Sequence, residues 1–424
     1  MMLIMQNTNE NVDQLFPWLG LSSYSEQHSE SFWGRSVEAE QLFYEIYDNS
    51  ATIVYGPSGV GKSSLLRAGV FPKLRTKQFF PIYVRLTHNK NNCPYMEQII
   101  SAIKAECEKS FCSVEEIAPL PADAKENLWT WFHRHKFSDV LDVQIRPVLV
   151  FDQFEEIFTI SEKDKSEIQD IITQICDIAG DHLPADLERV LNENNLPLPF
   201  PATAEYRVVL SLRDDFVSHI DEISHKCPVL RNNRISVKPM KVKNAREVVY
   251  NEKTKNIVSQ VVAEKIIQAV SEHSLKDNKP DCFIEPALLS LFCEQINLCR
   301  IKYGLSEITE ELVEENKGNI LANFYDTAMH KISVFACEKL EDNLISDSGF
   351  RLLKAVDDLL QLGIEDSEIK ELVNARLLRS DVRNGVHYVE LCHDIIIPVI
   401  KKKRDARVLN ERMKFYRKWC YFAD

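Results

Sequence analysis

The eight residues Gly56-Pro57-Ser58-Gly59-Val60-Gly61-Lys62-Ser63 constrain this chain more than any other stretch. They fit the spacing G-x-x-x-x-G-K-[ST]. An apolar, β-rich run (Ala51–Tyr55) precedes them, and a helical pattern with Leu65, Leu66, Gly69 and Val70 follows. That setting of strand, loop and helix is what gives the motif its chemical meaning. The glycines let successive backbone N–H groups turn inward as an anion nest, and the helix start adds partial positive charge. Lys62 then sets an ammonium against the β- and γ-phosphates of a nucleotide, and the Ser63 hydroxyl becomes a ligand of Mg²⁺. Ser64 adds a hydroxyl one position further on. Only 12 glycines occur in 424 residues, so three of them in six positions mark an unusual backbone path. Pro72 is expected to end the helix.

Such a loop calls for a second apolar strand ending in an acid, and Val148–Glu156 (VLVFDQFEE) supplies one. Asp152 emerges at the carboxyl end, where doubly wound sheets bind ligands, and would hold Mg²⁺ through its water shell. Glu155 or Glu156 could orient or deprotonate the attacking water. Glu155 is favoured because it lies three residues past Asp152. The competing reading makes the pair the acidic first turn of a helix. The strand VVLSLR ends at Arg213, which either touches the γ-phosphate or pairs with Asp214 or Asp215. No glycine-containing switch follows Asp152 and no N-K-x-D element follows a strand, so the expected base is adenine and the ligand is ATP or ADP.

Further strand candidates are Pro81–Thr87, Tyr206–Arg213 and Arg234–Met240. Helical patterns at Tyr95–Lys109, Ala124–His135 and Glu162–Ile178 alternate with them, which predicts a parallel sheet covered on both faces. The stretch 180–205 reads as a surface loop with one short helix. Beyond Met240 the patterns are helical: Val242–Ser271, Glu285–Leu298, Ile308–Ser333 and Gly349–Leu362. The sequence then predicts a helix at Ser367–Asp381, a turn at Asn384-Gly385, a strand at Val386–Leu391 and a further helix. That is the order of a winged-helix module. The expected organisation is an entry segment (1–35), a nucleotide-binding domain (36–240), a helical domain (241–335), a winged-helix domain (336–403) and a basic tail (404–424).

Composition removes several classes. With 45% hydrophobic and 27% charged residues the chain is neither disordered nor fibrous. Its 51 basic and 64 acidic residues give a net charge of −13, which disfavours a generalist nucleic-acid binder. No apolar run is long enough to span a bilayer, the start lacks a basic leader region, and the 11 Cys include no CxxC pair. A cytoplasmic protein with reduced thiols is expected. The end carries nine basic residues (Lys401, Lys402, Lys403, Arg404, Arg407, Arg412, Lys414, Arg417 and Lys418). They read as a solvated helix end, or as a contact with a membrane surface or nucleic acid.

From about Phe16 to Lys403 these residues resemble the STAND class of signal-transduction ATPases, in its prokaryotic "novel STAND" branch. The resemblance is carried by Phe16–Arg35 with its Trp33-Gly34-Arg35, by GPSGVGKSSLLRAGVFPKLR, by VFDQFEEIFT and by LSLRDDF. It extends through FIEPALLSLFCEQI and ARLLRSD…HYVELCHDIII. It implies an α/β P-loop NTPase fold of AAA+/STAND type, followed by a helical and a winged-helix domain. It also implies that Pro286 contacts the nucleotide, that His393 reaches the ADP phosphates in a closed state, and that Phe32, Trp33 and Arg35 flank the adenine. Read from the residues alone, Pro286 opens a helix and His393 beside Asp394 is an ordinary hydrogen-bonded histidine. The resemblance implies a slow ATP/ADP-controlled switch that forms homo-oligomers on activation, answers an unknown trigger and drives an unknown effector, in prokaryotic defence or signalling. Members usually carry an effector or sensor domain, and only about 15 residues precede the entry segment here. Two other readings stand beside it: a DNA-acting AAA+-like ATPase with a winged-helix reader, and a scaffold that binds ATP without hydrolysing it.

Overall fold

The computed structural model describes residues 15–86, 94–159, 165–201, 205–224, 227–274, 283–346, 351–375, 377–383, 386–392 and 396–423. The chain forms two compact units. One is Ser23–Pro239; the other combines the described part of Met1–Ser22 with Met240–Asp424. The segment expected as one entry piece is therefore divided between Ser22 and Ser23.

The first unit is built on strands β1 (Ala51–Gly56), β2 (Phe79–Val84), β5 (Arg146–Phe151), β6 (Arg207–Arg213) and β7 (Arg234–Ser236). Every pairing is parallel and the order is β2-β5-β6-β1-β7. A separate antiparallel ribbon joins β3 (Ser113–Glu116) to β4 (His135–Ser138). Strand side chains alternate between two cores, as the period of two requires. Ile53, Leu149, Phe151, Val208 and Leu210 enter one core, with the helices Tyr95–Ser110 and Lys165–Gly180. Val54, Val148, Val150 and Val209 enter the other, with Leu42 and Ile46 of the helix Ser36–Asp48. Both faces are thus covered, which is why these strands read as nearly unbroken apolar runs.

The helix after the phosphate loop runs past Pro72 to Arg75 rather than stopping there. Its middle turn, Leu65–Val70, is a π-helix, and Phe71 N–H bonds Leu66 O. A proline removes one donor and crowds the carbonyl four residues back; the wider turn just before Pro72 accommodates both effects. The expected helix Ala124–His135 begins only at Leu128. Asn127 caps it by accepting the Thr130 N–H at 2.9 Å, and His135 opens β4. Strand Arg234–Met240 is interrupted, with β8 (Met240–Lys241) pairing β9 (Phe283–Ile284) instead.

In the second unit one core gathers Trp18 and the helices Val242–Val249, Gln260–Ser274, Pro286–Lys302 and Glu310–Asn316. Val242–Ser271 is therefore two helices. Buried Thr254 stops the first by donating to Val249 O at 2.9 Å and accepting the Asn251 N–H. A second core joins the helices Ile320–Met329, Val334–Asn343, Val356–Gln361 and Asp366–Asn374 with a three-stranded antiparallel sheet. Its order is β10 (Lys354–Ala355), β12 (Val386–Leu391), β11 (Leu378–Arg383). The expected helix Ser367–Asp381 is therefore helix only to Asn374. Pairing of Leu378–Arg383 with β12 overrides the helical pattern of that stretch. The Asn384-Gly385 turn lies outside the described residues.

The last helix is continuous from Ile397 to Ala423, so 403/404 is not a structural boundary. Lys403 pairs with Asp326, Arg407 with Glu341 and Asp342, and Arg404 donates to Ile345 O. Three of the nine basic residues are thereby engaged within the unit. No described helix is long and apolar enough to cross a membrane.

Candidate nucleotide-binding site

The site stands at the carboxyl ends of β1, β5 and β6, and β1 delivers the loop. Gly56 admits no side chain, since a Cβ there would lie 2.3 Å from Val237 O. Gly59 and Gly61 have φ of 79° and 92°, in the region that glycine enters without steric cost. Val60 between them is buried in the core, so the loop is pinned at its apex. Lys62 Nζ donates to the loop's own carbonyls, Gly56 O at 2.7 Å and Pro57 O at 3.0 Å, which holds the ammonium over the cradle. Burial lowers the Lys62 pKa, against the opposing pull of Glu155, Asp152 and Asp214.

Asp152 is the hub. The residue is 2% exposed, and its carboxylate accepts three hydroxyl hydrogen bonds from three different elements. Ser63 Oγ donates to Oδ2 at 2.5 Å, Tyr83 Oη to Oδ2 at 2.8 Å, and Ser211 Oγ to Oδ1 at 2.6 Å. Strand parity explains the meeting. Val148, Val150 and Asp152 alternate on one side of β5, Val209 and Ser211 share that side of β6, and Tyr83 packs against the same core. Tyr83 and Ser211 were not singled out from the sequence. Ser211 did carry a signal, being the one polar residue inside VVLSL. Burial raises the Tyr83 pKa, reinforced by Asp152, so the phenol remains a donor.

Geometry separates the two glutamates. Glu156 is buried and paired with Arg85 at 2.7 Å. Glu155 is buried too, but its Oε2 accepts only a backbone N–H, that of Arg213 at 3.3 Å, among the bonds described. Burial raises its pKa; its own backbone N–H and Lys62 pull the other way. Gln153 sits between Asp152 and Phe154 with φ 55°, a conformation costly for a side chain of that size. This turn starts the short 3₁₀ helix Phe154–Thr159 and sets Glu155 beside the end of β6. Nothing in a glutamine announces a left-handed turn, so this one was not legible from composition or spacing. Arg213 lies at the strand end as expected, and its guanidinium holds Asp215 through two bonds, at 3.0 and 2.8 Å.

The residues before the first helix pack on the loop and its helix. Ser64 Oγ accepts the Tyr24 N–H at 3.0 Å, Arg67 donates to Ser23 Oγ at 3.3 Å, and Arg67 also lies over the Tyr83 ring. Phe32 packs against Tyr24, and Trp33 Nε1 is buried with no partner among the described residues. Arg35 is 3% exposed and hydrogen-bonds Glu38, Val60 O and Lys238 O. Pro286 belongs to the other unit, as the first residue of the helix Pro286–Lys302. His393 lies outside the described residues.

A nest of glycine amides, a poised ammonium and two hard oxygens fit a nucleoside polyphosphate with Mg²⁺. Ser63 Oγ and the Asp152 carboxylate are the protein donors for such an ion. No trio of His, Cys, Asp or Glu among the described residues could hold a metal unaided, so phosphate and water oxygens would complete its shell. Sheet order, loop and acid define the class, an α/β P-loop NTPase followed by a helical region. The chain belongs to the Novel STAND NTPase 1 family, whose model matches residues 17–281, more than half of its length.

No curated protein matches the chain. Among solved structures it is similar to the ORC2 protein of Aeropyrum pernix in its ADPNP–ADP complexes. That match has 13% identity, covers 88% of this chain and 95% of that one, and has a TM-score of 0.42. The ORC1 protein of the same organism in complex with DNA gives 12%, 89%, 94% and 0.43. A Walker-type ATPase of Pyrococcus abyssi gives 11%, 90%, 99% and 0.42.

Proposed function

We propose that the chain is an ATP/ADP-controlled switch that hydrolyses ATP slowly and assembles into homo-oligomers in the ATP state. The observation that carries the nucleotide half of this reading is the convergence of Lys62, Ser63 and Asp152 on one cradle, with Glu155 beside it. The loop amides and Lys62 hold the phosphates. Ser63 and Asp152 hold Mg²⁺, which when bound neutralises charge on the phosphate oxygens. Glu155, which among the described residues forms no ion pair like that of Glu156 with Arg85, orients the attacking water and accepts its proton. Arg213 exchanges Asp215 for the γ-phosphate and so registers its presence. The missing guanine-reading element favours adenine.

The switching half rests on family membership and on the two compact units joined at Ser22/Ser23 and Pro239/Met240. In this reading Pro286, His393 and the winged-helix-like arrangement of β10–β12 with their helices respond to the nucleotide state, and the trigger and effector belong to a signalling or defence system. The test is light scattering of the protein with ADP and with a non-hydrolysable ATP analogue. A shift to a larger species with the analogue alone supports the switch; one mass in both sinks it. ATPase activity stimulated by DNA and falling steeply with salt would favour the DNA-acting reading instead.

A further inference from the structure

We infer that Arg35 is a positioning residue of the phosphate loop, fixing the direction of the Gly61 amide from behind. The inference rests on the nucleotide-binding reading of that loop. One guanidinium nitrogen, Nη2, donates both to Val60 O at 3.2 Å and to Lys238 O at 2.8 Å, and Nη1 donates to Glu38 at 2.9 Å. Arg35 is 3% exposed and its bond to Val60 O is buried, away from competing water, while those to Lys238 O and Glu38 are only partly so.

The consequence follows from peptide geometry. Val60 C=O and Gly61 N–H belong to one planar trans unit and point in opposite directions. Holding the carbonyl toward Arg35 therefore turns the Gly61 N–H away from Arg35. The plane needs such a hold. Gly59 and Gly61 both have positive φ, and a Cβ on Gly61 would touch nothing within 4 Å, so packing around Gly61 does not fix the plane. Val60 anchors its side chain in the core but leaves its carbonyl free to rotate unless it is bonded. A loop amide that must meet phosphate is thus aimed by a buried cation that need not touch the ligand. The same nitrogen bonds Lys238, so the loop and the end of this unit share one anchor.

The test is calorimetric titration of AMP and ADP, without divalent cation, into the parent protein and into Arg35→Met and Arg35→Lys. Methionine keeps much of the buried stem and removes every donor. Lysine restores one nitrogen able to reach both carbonyls. Loop amides cradle the α- and β-phosphates, and AMP lacks the second. Arg35→Met should weaken ADP by about tenfold or more, the scale of a hydrogen bond to a charged group, and AMP by about twofold or less. Arg35→Lys should recover most of the ADP loss. If Arg35→Met lacks a native melting transition, Arg35→Gln, too short for both carbonyls, replaces it with the same expectation. Unchanged ADP affinity overturns the inference, as does an equal loss for AMP and ADP, which would mark a contact with the shared adenine or general damage to the fold. A parent that binds neither nucleotide overturns the nucleotide reading itself, and the role of Arg35 falls with it.

Discussion

At the residue scale the site depends on a few charges held where water is scarce. Lys62→Ala removes the ammonium and should abolish binding of a fluorescent ADP analogue while leaving the melting temperature near that of the parent. Retained affinity would place the site elsewhere. Tyr83→Phe and Ser211→Ala each delete one hydroxyl from Asp152 and leave Ser63 in place. Both should raise the Mg²⁺ concentration for half-maximal ATP hydrolysis several-fold, on the order of 1 kcal/mol per hydrogen bond. Affinity for ADP without metal should not change, and an unchanged Mg²⁺ requirement in both variants would deny Asp152 its role. For Glu155→Gln, turnover should fall by about a hundredfold or more with nucleotide affinity kept. Burial raises the Glu155 pKa, so the ionised base is lost as pH falls sooner than for an exposed glutamate. Activity of the parent should accordingly rise with pH across that titration, and the variant should lack this limb. The same upward shift means that the neutral form is better accommodated in the fold, so ionising Glu155 costs stability as pH rises.

At the scale of elements, what could be read from the sequence depended on whether local pattern or distant pairing decides the structure. The strands of the parallel sheet, its two faces and the loop were legible because apolar runs and glycine spacing are local signals. The helix past Pro72 was not, because a π-turn carries no compositional mark. Nor was β11, whose residues continue the helical pattern of Asp366–Asn374 until β12 claims them. In the site, Lys62, Ser63, Asp152 and Glu155 were named from spacing, whereas Tyr83 required the sheet order that sets β2 beside β5. Arg35 was legible as a residue of interest but not as a brace, since Val60 and Lys238 are remote from it in sequence. Packing of the loop helix gives a further test. A Cβ on Gly69 would lie 3.0 Å from Ala39 Cβ and 3.2 Å from Phe32, so Gly69→Val should force the helix Ser36–Asp48 outward. It should cost about 1–3 kcal/mol, read as a lower unfolding midpoint in urea. An unaltered midpoint would mean that the two helices are not in contact there.

For the whole molecule, the expectation to test concerns His393. If it senses ADP in a closed state, His393→Ala should form the larger species seen with the ATP analogue even when ADP is supplied, as measured by light scattering. A variant that stays at the parent's mass under every nucleotide would remove that histidine from the switch. A final consequence comes from where the Ser23–Pro239 unit begins and ends. Its first two residues are moored to Arg67 and Ser64, and Lys238, one residue before its last, is moored through Arg35 to Val60. Incoming and outgoing polypeptide are therefore fastened to the same few turns of backbone that would grip a phosphate tail. A phosphate tail gripped there would therefore lie against the same short stretch that anchors both connections.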